Sequence, residues 1–184
     1  MNKLKDITLF LSAFVPMFVL ILLRLVIDMI NHNLSLNILN TLNLLTLIFL
    51  IITGIVGLKW NISSTQSAKQ ILILSGKNIT DEHFFGYFSL FVLFALQLDL
   101  SLISGYCCFV IIMIFIGIVY IKNSLYYINP LLNILGYNFY EINFIEKGSK
   151  NPQKAKMFYK GQFVLNKEYK IKIKNDNFTF IDFK

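Results

Sequence analysis

FFGYFSLFVLFALQLDLSLISGYCCFVIIMIFIGIVYI, residues 84–121, is 38 residues long and carries Asp99 as its only charge. A hydrocarbon core about 30 Å thick is crossed by roughly 20 apolar residues in a helix. The stretch is too long for one crossing and about right for two. The number of crossings decides which side of a membrane everything downstream occupies. Asp99-Leu100-Ser101 is the natural turn, which gives arms over residues 82–98 and 102–121. The first arm is short, because residues 84–98 rise only about 22 Å at ~1.5 Å each, so it must take in interfacial residues at its ends. A re-entrant segment is the alternative. Thr80 ahead of Asp81 and Glu82 suits a helix start near residue 81, since a hydroxyl and two carboxylates satisfy exposed amides and the positive dipole end.

Two further runs precede this hairpin. Residues 7–27 hold no charge before Arg24 and have Pro16 in the middle, where a helix is expected to kink. The run exceeds the roughly 7–15 residue core of a signal peptide, and no small-residue cleavage site precedes Arg24, so it is expected to stay as a span. Residues 38–58 form the next span, closed by Lys59-Trp60, a basic residue and an indole of the kind that anchor at the interface. The 30 residues between Asp28 and Lys59 contain no charge at all. With 56% apolar residues over 184 positions and a mean hydropathy of +0.64, the chain is neither a water-soluble globule nor disordered. Its only cysteines, the adjacent Cys107 and Cys108, do not make a disulfide framework and leave the redox compartment unread.

Four spans also distribute the charge sensibly. Lys3 and Lys5 lie before the first span, Lys59, Lys69 and Lys77 in the loop 59–81, and eleven lysines from Lys122 onward, which together make 16 of the 17 basic residues. Only Arg24 falls on the other side. The positive-inside rule then places both termini and the loop 59–81 in the cytoplasm. Three spans would set the C-terminal lysines against the N-terminal ones. The expected fold is an all-α four-helix transmembrane bundle over residues 1–128 with a small cytoplasmic β-rich module over 129–184.

Beyond Asn129-Pro130 the helix-length apolar runs stop. Residues 170–174 alternate lysine and isoleucine, Asn175-Asp176-Asn177 supplies turn chemistry, and 178–183 continues a period-two pattern that breaks at Ile181, together a β-hairpin. Residues 137–145 read as a third strand and 148–156, with Pro152, as a polar loop. In the loop 59–81, residues 70–74 are a further candidate strand before Ser75-Gly76-Lys77-Asn78. A module of about 55 residues buries little on its own. Its strands are therefore expected to pack on one another, on the second loop and on neighbouring subunits.

Catalysis has little material. His32 and His83 fall in segments assigned to opposite faces of the membrane, and no zinc, phosphate-loop or nucleophile-elbow spacing occurs. Glu82 beside His83 is accounted for by a helix start at the interface. We expect no enzyme activity, no cofactor and no metal. Arg24 and Asp99 are functional candidates because charges near membrane depth are costly. Their primary reading is interfacial: Arg24 snorkels and faces Asp28 one turn on, and Asp99 caps a turn. Gln97 with Asp99 would form a cation-attracting ring only if several subunits surround an axis. Asn37, Asn40, Asn43 and Thr46 recur every three residues along one stripe, either a polar pore lining or an interhelical hydrogen-bonding seam. A small oligomeric ion channel or immunity-type membrane protein is the runner-up function for that reason.

Gly54, Gly57, Ser101, Ser104 and Gly105 are small enough for close helix approach, but such residues are common in membrane helices and do not specify a contact. Cys107 and Cys108 read as packing or lipid-facing. The C-terminal lysines, interleaved with aromatic residues, could meet phosphate backbones. Positive-inside bias and attraction to anionic lipid already account for them, so direct nucleic-acid binding is not expected.

One stretch goes beyond composition. Residues 119–142, VYIKNSLYYINPLLNILGYNFYEI, resemble the end of the last membrane helix and the following Asn-Pro, Leu-Gly-Tyr and strand segment of the KwaA family, the membrane subunits of the Kiwa anti-phage systems. Size, span plan and β-rich tail fit the same family, while the segment around residues 84–100 matches its third span less closely. The resemblance implies a bacterial inner-membrane protein that forms homo-oligomers, the tetramer being the expected form. It implies a cytoplasmic DNA-binding partner of the KwaB type, with the membrane subunit sensing phage attack. On that reading Asn129, Pro130, Gly136 and Tyr137 are the coupling candidates. Lys167, Lys170, Lys172, Lys174, Phe178 and Phe180 are the partner-docking candidates.

Overall fold

The computed structural model describes residues 3–31, 37–63, 68–80, 89, 91–94, 97, 100, 102–123, 125, 128–149, 151–175 and 178–182. They divide into two compact units, residues 1–61 with 86–131, and residues 62–85 with 132–184.

The first unit is helical. Its helices α1 (Lys3–Asn31), α2 (Ile38–Ser63) and α3 (Ile103–Lys122) are each long and apolar enough to cross a membrane. Three span-length helices are thus described rather than the expected four. Of the arm 82–98, Ser89, residues 91–94 and Gln97 are described, and all are helical; the rest of that arm, the proposed start at Asp81-Glu82 and Asp99 lie outside the described residues. α1 runs through Pro16 without ending.

α1 is the central element, with 50% of its apolar window buried against 17% for α3. The cause is an aromatic stripe at four-residue spacing. Phe10 packs on Tyr120 at 5.4 Å between ring centroids, Phe14 on Phe91 at 4.8 Å, and Phe18 edge-on to Phe109 at 6.3 Å. The opposite approach, α1 to α2, depends on glycine. A Cβ on Gly57 would collide with the Thr8 side chain, and one on Gly54 would lie 2.6 Å from Val15 Cγ2 and 3.0 Å from the Leu11 carbonyl oxygen. These two glycines do set a helix contact, which their spacing alone had not specified. Asn61 then ties the ends together, donating from Nδ2 to the Gly57 carbonyl at 2.7 Å and to Thr8 Oγ1 at 3.0 Å. At the other end of α2, Asn37 Oδ1 accepts from the Asn40 amide at 2.7 Å, an N-cap that satisfies one of the exposed donors.

The second unit is a five-stranded sheet closed into a barrel in the order β1-β2-β3-β5-β4. The strands are β1 (Ala68–Asn78), β2 (Tyr137–Glu146), β3 (Gln153–Lys160), β4 (Glu168–Asn175) and β5 (Phe178–Asp182). All pairings are antiparallel except β3 with β5. The expected strand in the second loop is longer than residues 70–74 and pairs with both β2 and β4. It is a full member of the sheet, so the compact unit takes in residues 62–85 as well as the tail.

One expectation fails here. Residues 148–156 are not all loop, since β3 begins at Gln153 and pairs with β2 from Phe144↔Gln153 to Tyr137↔Lys160. Its first inward residue is only Ala155, and lysines flank it, so the strand pattern is faint until Met157. The interior is built at period two from Ile71, Ile73, Tyr140, Ile142, Phe144, Ala155 and Met157, with Tyr159, Phe163 and Tyr169 packed against it. A register shift between Ile73 and Ser75 brings Gly76 opposite Ile142, an inward position with no side chain. Phe163, from the loop between β3 and β4, fills the space, and a Cβ on Gly76 would collide with its ring. The Asn166 amide donates to the Ile73 carbonyl at 3.0 Å and holds that loop over the barrel end.

Candidate functional site

The chain passes from the helical unit to the barrel through the segment the sequence marked as a joint. Asn129 is buried and donates from Nδ2 to Ser12 Oγ at 2.8 Å, and Ser12 in turn donates to the Leu9 carbonyl at 2.7 Å. Tyr120 donates from its hydroxyl to the Ile128 carbonyl at 3.2 Å. The end of the joint is therefore pinned to the N-terminal half of α1 and the last turn of α3 by buried hydrogen bonds. Pro130 opens the short helix α4 (Pro130–Ile134) at the position where a missing N–H is harmless. Gly136, at φ +84, ends it, with its amide donating to the Asn133 carbonyl at 2.9 Å. A left-handed residue after a helix favours glycine. Tyr137 follows at once as the first residue of β2, half-buried. The four coupling candidates thus follow one another along the chain as a buried hydrogen-bonded residue, a helix start, a turn and a strand start.

The intramembrane candidates separate into two kinds. Asn40 and Asn43 are 1% exposed, and Asn43 Nδ2 donates to the Leu100 carbonyl at 2.6 Å. Asn43 therefore acts as part of a hydrogen-bonding seam between α2 and the chain entering α3. Arg24 and Asp28 pair at 3.7 Å with side chains 37% and 41% exposed, an exposed pair of small net value. Gln97 is exposed, and Asp99 lies outside the described residues.

Of the docking candidates, Lys167 is exposed in the turn before β4. The side chains of Lys170, Lys172, Lys174, Phe178 and Phe180 lie outside the described residues, although their backbones are placed by register: Lys172 pairs with Ala68 and Phe180, and Phe180 with Phe158. Across the sheet Glu141 stands between Lys77 and Lys156. Lys147 reaches Glu168 at 3.7 Å on the surface. The Tyr159 hydroxyl is pushed above the ordinary tyrosine range, first by burial and then by Tyr169 beside it.

Several functional-looking residues were not singled out from the sequence. Ser12 is one hydroxyl in an apolar run, and Asn61 sits just past the indole that closes the second span. Asp6 is 2% exposed with Oδ2 unpartnered among the described residues; its position in the first turn of α1 suits a carboxylate at the dipole's positive end. Lys5 Nζ stands 5.6 Å from the centre of the Trp60 ring, a cation–π contact. Cys107 and Cys108 are exposed and unbridged. No group of three histidine, cysteine or acidic residues that could hold a metal occurs among the described residues.

Helices of membrane-crossing length joined by a pinned linker to a closed barrel define a protein that combines a membrane-type helical unit with a compact β module. A family model described as anti-phage protein KwaA matches residues 5–181. The chain belongs to the KwaA family of anti-phage proteins. No curated protein and no solved structure matches it.

Proposed function

We propose that this chain is the multi-pass inner-membrane subunit of a bacterial anti-phage system. In this reading it crosses the membrane four times with both termini in the cytoplasm, assembles into homo-oligomers, as tetramers, and relays phage attack to a cytoplasmic DNA-binding effector of the KwaB type. One observation carries the topology. β1 follows α2, and β2 follows α3, yet the two strands are hydrogen-bonded neighbours in one barrel. Both must lie on one side of a membrane. The single crossing by α3 between them then needs a second crossing within residues 79–102, where the helical residues 91–94 lie. With α1 and α2 crossing once each, the N-terminus lies on the barrel's side as well. The lysine distribution makes that side the cytoplasm.

The relay works by shifting populations. Two arrangements of the helical unit that differ in their affinity for the partner suffice, because a partner can bias an equilibrium only by its differential binding. The pinned joint is where such a difference passes to the barrel. A closed barrel has no free strand edges to offer, so the partner engages side chains and loops of the outer surface. The charged outer positions, Lys154, Lys160 and Lys167 among them, suit a partner with acidic docking patches. The chain itself contributes no catalytic step.

Co-expression of a tagged full-length chain with the product of its neighbouring gene tests this. A soluble DNA-binding protein should co-purify from the membrane fraction. Charge reversal at Lys154, Lys160 and Lys167 together should lower its recovery several-fold and abolish protection against phage. Recovery unaffected by deleting the barrel would overturn the relay.

A further inference from the structure

A long apolar groove runs along the helical unit, about 670 Å³ in volume. Phe10, Phe109 and Gly117, all buried, form its floor, and exposed Ile7, Ile114 and Ile118 stand on its rim. On α3 it extends from Phe109 to Lys122, 13 residues on, or roughly 20 Å at ~1.5 Å per residue. Half of a hydrocarbon core is about 15 Å, so the groove accepts a chain that enters from one leaflet and reaches past the midplane. Among the described residues, Thr46 is the only uncharged polar residue in its lining, and Lys122 stands at one end. Lys122 is exposed, belongs to the last turn of α3, and makes no ion pair among the described residues.

We infer that this groove binds one acyl chain of an anionic phospholipid, with the lipid phosphate held at Lys122. A cation at the interfacial mouth of an otherwise hydrocarbon slot complements a headgroup phosphate above an acyl chain. A second copy's helix fits the same surface poorly. Helices associate in membranes through small residues that let backbones approach, whereas the rim here is isoleucine. Gly117 is already occupied, since a Cβ on it would lie 3.1 Å from Phe10 Cε1. The bound lipid lies against α1 and α3, the two helices that pin the Asn129 joint. The inference rests on the helical unit lying in a bilayer.

The test uses the full-length chain in vesicles of phosphatidylglycerol and phosphatidylcholine in equal amounts, solubilised gently, with retained lipids counted by native mass spectrometry. The expected result is preferential retention of phosphatidylglycerol. Lys122→Gln should lower that preference about fivefold, the effect of one basic residue beside anionic headgroups, and Lys122→Arg should keep it. Ile118→Trp, which fills the slot, should reduce retention of both lipids. Equal retention of the two lipids by the unaltered chain, or an unchanged preference in Lys122→Gln, overturns the inference. So does a disulfide between copies through Ile118→Cys in a Cys107→Ser, Cys108→Ser background, which would seat a second helix in the groove. Release of the chain from vesicles by an alkaline wash would sink the membrane reading and the groove with it. Stable insertion without a lipid preference sinks the groove alone.

Discussion

Asn129 and Ser12 meet across 117 positions of sequence, and only one of the two was legible. Asn129 stood out because it precedes a proline at the point where apolar runs end. Ser12 is a small hydroxyl inside a span, a residue type so ordinary there that nothing in the sequence ties it to a partner. Interhelical hydrogen bonds in membrane proteins contribute about 0.6 kcal/mol on average and rarely more than ~1.7 kcal/mol. A double-mutant cycle of Ser12→Ala and Asn129→Ala should return a coupling in that range, read from thermal unfolding in detergent. Additivity of the two single changes would mean that the joint is not anchored there. Tyr159 gives a second residue-scale expectation. Its hydroxyl titrates above its ordinary value of 10.0 in the folded barrel. A group whose folded pKa is raised contributes stability that is complete below the unfolded pKa and is lost as pH rises through the folded one. The barrel should therefore hold its stability to about pH 10 and weaken above it. Tyr159→Phe should flatten that alkaline loss in pH-dependent unfolding curves.

The elements were legible in proportion to how strictly their pattern matched one period. α1, α2 and α3 announce themselves by uncharged length, and the strand read over residues 137–145 by alternation, one residue short of β2. β3 was half hidden because its pattern opens on Ala155 between two lysines. The end of β1 was hidden because a register shift at Ile73/Ser75 breaks the alternation before Gly76, and a slip of one residue turns every later side chain to the other face. The α1–α2 contact was hidden for another reason. Glycines are frequent in membrane helices, and only the position of Thr8 shows that Gly57 is needed. Gly57→Ala should separate the two helices at a cost of about 1–3 kcal/mol, typical of overpacking. Thr8→Gly added to it should recover part of that loss by opening the opposing side. An unaltered melting temperature in Gly57→Ala would show that the helices are not held at this distance.

At the scale of the whole molecule, the barrel is a constraint on topology that no single element supplies. A sheet can close only if all its strands reach the same compartment. In the proposed membrane topology, the pairing of β1 with β2 thus ties a local hydrogen-bond register to the number of crossings. The same pairing explains why residues 129–184 alone make an incomplete module: without β1 the barrel opens and exposes the edges of β2 and β4, which invite pairing with other chains. Single cysteines in a Cys107→Ser, Cys108→Ser background can read this topology. Positions 70 and 167, both exposed in the barrel unit, should react with an impermeant maleimide only in inside-out vesicles. Leu102, 57% exposed just before α3, should react only in intact spheroplasts. Labelling of 70 and 167 from opposite faces would be incompatible with one barrel. Labelling of 102 from the same face as 167 would remove α3 as a crossing, and with it the need for a span within residues 79–102. The expected pattern requires an even number of crossings and leaves Arg24 as the one basic residue on the far side, the arrangement under which both the hydrogen-bond register and the charge distribution are satisfied at once.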